Sequence, residues 1–364
     1  MTFCLFVHIL RRALRLGLGW LLLILAVPTL AENTTQVKSD APIAHIGVIL
    51  PLNANTFRQP AEAVKLGIIA ASVLQPGTPP IRIYPTSDET GNVLAIYQQA
   101  LDNGARVIVG PLTKPAVAAL AESELVNVPT VALSVPDMEI SNRNLYLFGL
   151  SLDAEARQVA QFMRREGRQS VMIVSTGNTL GKRLQAAFSE TWQREGGSVV
   201  EQIVYTPSTD LSALRNNVAK VAADAIFLAL NAQDASQVRP YLPNKIVSYA
   251  TSQIFSGVSA PRNVDLSGVR FLDMPWLLQL DHPAAMVFSR PEKLLNTERE
   301  RLYAMGIDAY RLAQLFFQGT MPASGTVLDG VTGQINLANR QFTRELIAAE
   351  FQADSVLMLN NAPP

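Results

Sequence analysis

The sequence predicts a two-lobed α/β protein in which each lobe is built on a doubly wound, mostly parallel sheet. One observation is a strand–helix–strand unit at residues 105–134, in which an apolar run stops at Gly110-Pro111, an Ala-rich helix follows and a second buried strand ends before Ser134. Another is repetition, because similar strand and helix patterns alternate on both sides of this unit. The third is length, since 364 residues exceed what one ordinary hydrophobic core organises.

The first lobe is predicted from strand–helix repeats that start after residue 43. Apolar, β-branched runs that stop at turn residues predict buried strands, and amphipathic runs that begin at Pro or Asn predict helices. Right-handed crossovers leave the loops after parallel strands at one edge of the sheet, where open α/β sheets bind ligands. The predicted strands are 44–50, 81–84, 106–109 and 130–133, and the predicted helices begin at Pro60, Asn92 and Pro115.

The same alternation restarts after residue 149 and predicts the second lobe. Residues 246–249 and 269–272 are interpreted as strands that return to the first lobe, and 299–317 as a long helix. The alternating run 331–337 is interpreted as a strand added to the second lobe. We therefore expect lobe I to comprise 43–149 and 247–322, and lobe II to comprise 150–246 and 323–359, with more than one crossover between them.

Residues 1–31 have the features of an export signal. Three arginines precede the uncharged apolar run 16–27, and small residues follow it at the positions that a signal peptidase reads. This run is shorter than the ~20 residues of a membrane span, which favours removal, with an uncleaved anchor as the alternative. Residues 32–42 are polar and are interpreted as a linker.

The single cysteine, Cys4, lies before the apolar run rather than just after it, where a lipidated cysteine is required. We therefore expect a periplasmic location without a lipid anchor, and membrane contact only through a partner or an uncleaved signal. Without Cys4, the exported chain is expected to hold no disulfide and no thiolate ligand.

Charge and motif content argue against several function classes. The 30 Lys and Arg residues balance the 30 Asp and Glu residues, and no basic tract follows the signal, so no nucleic acid partner is expected. The segment 177–183, GNTLGKR, resembles a phosphate loop but has three residues between its glycines and no Ser or Thr after Lys182. The histidines are not spaced as zinc ligands, and no nucleophile elbow occurs. We predict no enzyme activity, no metal and no cofactor.

Several segments resemble known families. Three segments carry one resemblance: IGVILPLNA, GARVIVGPLTKPAVAALAE with the following VPTVALS, and MIVSTGNTLGKRLQAAFSETWQREGGSVV. They are similar to segments of type I periplasmic binding proteins of the leucine/isoleucine/valine receptor class. This resemblance spans residues 43–340 and implies their two-lobed fold. The segments DLSGVRFLDMPWLL, RLYAMGIDAYRLA and DGVTGQINLANRQFTREL resemble the LppC family, the penicillin-binding protein activators. Longer LppC members are outer-membrane lipoproteins, and the resemblance implies a penicillin-binding protein as partner.

Candidate ligand residues lie at the ends of predicted strands and at helix starts. In the receptors that this sequence resembles, hydroxyl-rich loops and helix N-termini hold a ligand carboxylate, while aromatic residues and an acid hold its ammonium. Leu180 occupies the aromatic position and no acid lies near Tyr249, so a free α-amino acid is a poor candidate among small polar ligands. The alternative is that Thr113 and Asn178 only cap helices. The candidates are Pro51, Leu52, Gly110, Pro111, Leu112, Thr113, Ser134, Thr176, Asn178, Asn231 and Thr251.

Trp276 follows Pro275 at the end of a predicted strand and is the candidate partner contact. Trp is enriched at interface hot spots, although a Trp between Pro and two Leu residues is more often part of a core. Asp308 and Asp329 are interpreted as solvated surface residues.

Two functions are consistent with these features. The first is an exported, non-enzymatic regulator that docks on a penicillin-binding protein in peptidoglycan synthesis, as the LppC resemblance implies. Such a regulator must contact two states of the synthase differently. The second is a periplasmic solute receptor that closes on a small polar ligand by hinge motion and passes it to an ABC-type transporter.

Overall fold

Two β-sheets, each mostly parallel, organise the protein into two lobes. The computed structural model describes residues 42–359 except 75–76, 88–89, 259, 292–294 and 354. The predicted signal at 1–31 and the predicted linker up to residue 41 lie outside the described residues. The α/β class and the doubly wound sheets predicted from the sequence are confirmed.

Residues 42–149 alternate strands with helices, as predicted. The elements are β1 (His45–Leu50), α1 (Arg58–Ser72), β2 (Ile81–Pro85), α2 (Val93–Asp102), β3 (Ala105–Val109), α3 (Lys114–Ala121), β4 (Thr130–Ala132) and β5 (Leu145–Phe148). Every residue of β1 is buried, because helices cover both faces of a parallel sheet. This explains why β1 is a continuous apolar run rather than an alternating one.

Residues 150–278 repeat the alternation in the second lobe. Side chains of Ser151, Asn178 and Asp210 each accept a backbone N–H bond at the start of a helix, which fixes where three helices begin. The elements are α4 (Leu152–Arg165), β6 (Ser170–Thr176), α5 (Thr179–Arg194), β7 (Ser198–Tyr205), α6 (Leu211–Val218), β8 (Ala225–Ala229), α7 (Ala232–Val238), β9 (Val247–Ala250), β10 (Val269–Asp273) and α8 (Pro275–Leu278), with short 3-10 turns at Arg239–Tyr241, Ser252–Ile254 and Pro261–Asn263.

The last part of the chain returns to the first lobe and then crosses again. Asn296 caps the start of its long helix, and Gly319, in the left-handed conformation with φ 70°, caps the end. The elements are α9 (Pro283–Met286), α10 (Thr297–Gln318), β11 (Gly325–Gly330), β12 (Gly333–Ala338), β13 (Gln341–Glu345), β14 (Ile347–Phe351) and β15 (Val356–Leu359).

The strand orders show where the chain crosses between the lobes. The first sheet has the order β11-β12-β13-β5-β4-β3-β1-β2, and the second has the order β15-β14-β10-β9-β8-β6-β7. Strands β11, β12, β14 and β15 supply the antiparallel pairs at one edge of each sheet. The chain therefore passes between the lobes after β5, after β10 and after β13.

The predicted lobe boundaries are wrong in two places. Strand β9 pairs in parallel with β8, and β10 pairs with β9, so residues 247–273 belong to the second lobe and not to the first. Strand β13 pairs with β5, and β12 with β13, so residues 325–345 belong to the first lobe and not to the second. The error has a physical cause, because an apolar or alternating strand can pair in either sheet, and its own sequence does not specify which sheet it joins.

Helices α1 and α10 of the first lobe cross with direct backbone contact. A Cβ atom on Gly67 would lie 1.9 Å from the carbonyl oxygen of Tyr303, and one on Gly306 would lie 2.2 Å from the carbonyl oxygen of Val64. Because interiors are close-packed, any side chain at either glycine must push the helices apart.

Gly306→Ala is therefore expected to lower the free energy of unfolding by about 1–3 kcal/mol. Intrinsic helix propensity alone would favour Ala over Gly by up to about 1 kcal/mol, so the sign of the change separates packing from propensity. Urea denaturation of the wild type and the variant measures this difference. Unchanged or increased stability would contradict the close crossing.

Candidate functional site

A cleft with a volume of about 590 Å³ lies between the lobes. The loops after β3, β4 and β5 line it from the first lobe, and the starts of α4 and α5 line it from the second. Helix α10 and strand β13 complete the lining near the chain crossings. This is the sheet edge at which the sequence places a binding site. The polar residues of the lining are Lys114, Ser134, Asp137, Ser151, Asp153, Arg157, Arg183 and Gln341.

Two predicted ligand residues, Leu112 and Ser134, line this cleft. Gly110 and Pro111 lie in the same loop as Leu112 and shape it. Gly110 has a φ of +105°, and a Cβ there would lie 2.0 Å from the carbonyl oxygen of Ile49, so the loop requires glycine at this position.

Five other predicted ligand residues lie outside the cleft lining. Thr113 and Thr251 are more than nine-tenths buried, and their hydroxyl groups have no hydrogen-bond partner within the described part of the chain. Pro51 is buried, Leu52 is half-buried against the core, and Thr176 is half-buried. A ligand role for these residues stays a prediction.

Asn178 and Asn231 act as helix caps. The Oδ1 atom of Asn178 accepts a hydrogen bond from the backbone N–H of Gly181 at 2.8 Å, and that of Asn231 accepts one from Asp234 at 2.9 Å. Asn178 therefore caps a helix, which was the alternative to ligand contact, and a ligand role for Asn178 and Asn231 stays a prediction. Thr113 occupies the cap position of α3 without a side-chain capping bond.

Charged residues that the sequence analysis did not single out dominate the cleft. Lys114 of the first lobe donates to Asp137 at 2.7 Å, and in the second lobe Arg183 is paired with Asp153. The hydrogen bond and charge of Lys114 lower the pKa of Asp137, and the charge of Arg183 contributes in the same direction. Arg183 thus acts on Asp137 across the cleft, and the cleft presents ion pairs where a receptor would bind its ligand.

A buried ionic cluster joins the two lobes beside this cleft. The second lobe contributes Glu155 of α4 and Asp273 of β10, and the first lobe contributes Arg301 of α10 and Arg344 of β13. All four residues are at least nine-tenths buried. Two acids and two bases make the cluster neutral as a whole, which is a condition for burying charge.

Each charge of the cluster has a partner from the other lobe. The Nη2 atom of Arg301 donates to Oδ2 of Asp273 at 2.6 Å and to the backbone carbonyl of Ser252 at 2.9 Å. The Oε2 atom of Glu155 accepts from the Ser252 hydroxyl at 2.7 Å, and its Oε1 lies 3.5 Å from Nη2 of Arg344. Opening the lobes at this point would separate buried opposite charges.

Burial shifts both members of one pair toward their neutral forms. Desolvation raises the pKa of Glu155 and lowers the pKa of Arg344, and the opposite charge of each partner offsets only part of the shift. The pair is therefore held by the surrounding packing at a cost in solvation.

We expect the ionisation of Glu155 to reduce stability as pH rises. The folded pKa lies above the unfolded value of about 4.3, so the folded state binds the proton more tightly. The contribution of Glu155 to the free energy of unfolding therefore falls as pH rises from the unfolded pKa through the folded one.

Glu155→Gln removes this contribution. The wild-type minus variant difference in unfolding free energy is expected to decline as pH increases from about 4.3. Urea titrations of both proteins at stepped pH measure the difference. A difference that grows with pH across this window would contradict the raised pKa.

The structure corrects the expectation for Trp276. Its side chain is 0% exposed, its ring lies 5.5 Å from that of Tyr303, and the guanidinium of Arg290 stacks over it at 3.6 Å. A fully covered ring cannot contact a partner, so Trp276 is a core residue, which is the more frequent outcome for a Trp in such a run.

Asp308 is also buried, although a solvated residue was expected. Its carboxylate accepts from the backbone N–H of Thr332 at 2.8 Å and from the Thr332 hydroxyl at 2.7 Å, and it pairs with Arg311 at 2.9 Å. Asp308 of α10 therefore binds the β11–β12 turn through these hydrogen bonds. Asp329 is exposed, as expected.

Within the described residues, no three His, Cys, Asp or Glu side chains come close enough together to hold a metal ion. None of the described helices combines the length and the apolar character needed to span a membrane.

A family model described as "LppC putative lipoprotein" matches residues 25–222 and 212–354. The chain belongs to the LppC family. Among relatives, the penicillin-binding protein activator LpoA of Dickeya chrysanthemi (strain Ech1591) is 31% identical over 320 residues, which cover 73% of this chain and 46% of that protein. LpoA of Histophilus somni (strain 129Pt) is 26% identical over 344 residues, or 92% of this chain and 57% of that protein. This LppC chain thus spans about half the length of the curated relatives it matches.

Solved structures support the same fold for this LppC chain. A "putative branched-chain amino acid ABC transporter" from Chromobacterium violaceum ATCC 12472 has a TM-score of 0.73 at 36% identity, covering 84% of this chain and 99% of that one. The LpoA (YraM) C-domain from Haemophilus influenzae, described as a regulator of PBP1A, has a TM-score of 0.73 at 23% identity, covering 86% and 99%. The predicted type I periplasmic-binding-protein fold is therefore confirmed.

Proposed function

We propose that this chain is an exported, non-enzymatic regulator that docks on a penicillin-binding protein and biases it toward an active conformation. The observation that carries this proposal is its membership of the LppC family, together with alignment to proteins named penicillin-binding protein activator over most of its length. A regulator shifts its target only through different contacts with the two states, so a fixed docking surface is what the function requires.

The interface between the lobes supports this proposal. Four buried, oppositely charged residues pair across it, and one continuous apolar core contains residues of both lobes, including Phe148 of the first and Phe188 of the second. Hinge closure on a solute requires an interface that can rearrange. An interface built from buried ion pairs favours a protein that keeps one shape and presents it to a partner.

We assign the regulator to the periplasm, because its targets act on the cell wall and its sequence begins with the features of an export signal. In the cleft, the carboxylates of Asp137 and Asp153 are each paired with a base rather than with one another. Because each carboxylate is bound to a base of its own lobe, the two do not form a direct carboxylate–carboxylate pair, which supports a role without catalysis.

Direct binding tests the proposal. Purified penicillin-binding proteins from the same bacterium are immobilised one at a time, and binding of the full chain is followed by biolayer interferometry. A solute receptor of the same fold serves as the control for non-specific adsorption. We expect saturable binding of this chain to at least one synthase and none by the control. Absence of binding to every synthase would overturn the proposal.

A second function, a periplasmic solute receptor, is favoured by the Chromobacterium violaceum structure at 36% identity and by the cleft of about 590 Å³. Thermal unfolding distinguishes the two, because a solute at 100 times its Kd stabilises the folded state by about 2.7 kcal/mol. We expect no rise in Tm with amino acids, short peptides or cell-wall fragments. A clear rise with any of these would favour the receptor.

A further inference from the structure

A second groove, with a volume of about 460 Å³, lies between α4 of the second lobe and β13 of the first. It adjoins the cleft, since Arg157 and Gln341 line both, but it opens beside the chain crossings rather than at the loops after β3. Hydrogen bonds connect its two sides, because the side chain of Gln158 on α4 donates to the carbonyl of Arg344 at 2.8 Å and accepts from the backbone N–H of Leu346 at 3.1 Å.

Two exposed arginines of α4 line this groove without an ion-pair partner. The guanidinium groups of Arg157 and Arg165 make no hydrogen bond and no ion pair with any residue that the structure describes. Gln161 stands between them at four residues from each, so all three side chains share one stripe of the helix. The two arginines are eight residues apart, which places their Cα atoms about 12 Å apart along the axis.

The rest of the lining is suited to an extended, acidic polypeptide. Asn336, Gln341 and Thr343 supply amide and hydroxyl groups on the β13 side, and of the described lining residues only Glu345 is acidic. Two unpaired guanidinium groups therefore face one carboxylate, and the groove has an excess of positive charge. Planar guanidinium groups bind carboxylates through two parallel hydrogen bonds, which matches acidic side chains.

We infer that this groove docks an acidic segment of the partner protein in extended conformation, with two carboxylates four residues apart. Residues four apart in an extended chain lie on one face and are separated by about 13 Å, which matches the spacing of Arg157 and Arg165. This inference rests on the proposed function and names the surface through which it acts. Because the groove is lined from both lobes, an occupant contacts the lobes together.

Charge reversal tests the inference. The double variant Arg157→Glu/Arg165→Glu is compared with the matched control Arg58→Glu/Arg143→Glu, which makes the same change in net charge at two other exposed arginines. Binding to the immobilised penicillin-binding protein is measured at several salt concentrations. We expect the groove variant to bind about tenfold more weakly or worse, with reduced salt dependence, and the control to bind as the wild type does.

A peptide separates failure of this inference from failure of the proposed function. The probe is a fluorescein-labelled Gly-Glu-Gly-Ser-Gly-Glu-Gly, whose two glutamates are four residues apart. We expect the wild type and the control to bind it and the groove variant to lose binding. If all three proteins bind the synthase equally, the groove inference is overturned and the proposed function stands.

Two further outcomes are decisive. If the wild type binds no synthase, the proposed function fails, and the peptide alone decides whether the groove recognises acidic segments. If free adipate displaces the peptide at concentrations near those of the peptide itself, the groove is a site for small dicarboxylates, and docking of a protein segment is overturned.

Discussion

Arg301→Met is expected to lower the free energy of unfolding by about 3–5 kcal/mol, because removing one member of a buried ion pair leaves the other uncompensated. Asp273 is 1% exposed, and Arg301 is its cationic partner at 2.6 Å. The same side chain also donates to the backbone carbonyls of Ser252 and Phe255. Urea denaturation at pH 7 measures the loss.

Two further variants show that the loss comes from an unpaired charge. Adding Asp273→Leu to Arg301→Met removes the orphaned carboxylate and is expected to recover part of the stability. Arg299→Met, on the same helix, removes a side chain that bonds to Asn296 at the helix start and is expected to change stability by less than about 1 kcal/mol. An Arg301→Met protein within about 1 kcal/mol of the wild type would contradict the buried cluster.

Trp276→Ala is expected to lower the free energy of unfolding by about 3–5 kcal/mol, the usual cost of truncating a fully buried Trp. The indole is 0% exposed and packs between Tyr303 and the guanidinium of Arg290. Leu280→Ala, at a side chain that is 70% exposed four residues away, is the matched control and is expected to lie within about 0.5 kcal/mol of the wild type. Thermal and urea unfolding measure both variants.

The same Trp276 variant distinguishes a core residue from a partner contact. At a temperature where the variant is folded, its binding to a penicillin-binding protein is expected to equal that of the wild type. Weakened binding with unchanged stability would restore the interface interpretation.

Much of the fold follows from local patterns, and sheet membership does not. Strand β1 is a buried apolar run before a turn, and Asn178 precedes an amphipathic helix, so short-range signals specify both. The sequence interpretation assigns strands β9 and β12 to the wrong lobes. Their pairing with β8 and β13 is a tertiary contact that the sequence of each strand does not specify. The crossings of the chain are therefore a property of the whole fold.

The positions of the charged residues between the lobes follow the apolar periodicity of their strand and helix. Only the fold shows that this periodicity buries them against one another. Arg344 lies two residues from Phe342 and two from Leu346, so strand periodicity places it on the same inward face as these apolar residues. Glu155 shares a helical face with Val159 of α4. Burial of a single charged residue is nevertheless rare, and the sequence alone does not show that elements of both lobes bring compensating charges together.

The rate of peptidoglycan synthesis by a purified penicillin-binding protein from the same bacterium tests the central claim most directly. The rate is measured against increasing concentrations of this protein, with the solute receptor of the same fold as control. We expect a saturable increase that follows the binding curve of the wild type. A rate that stays unchanged at concentrations that saturate binding would contradict an activating role.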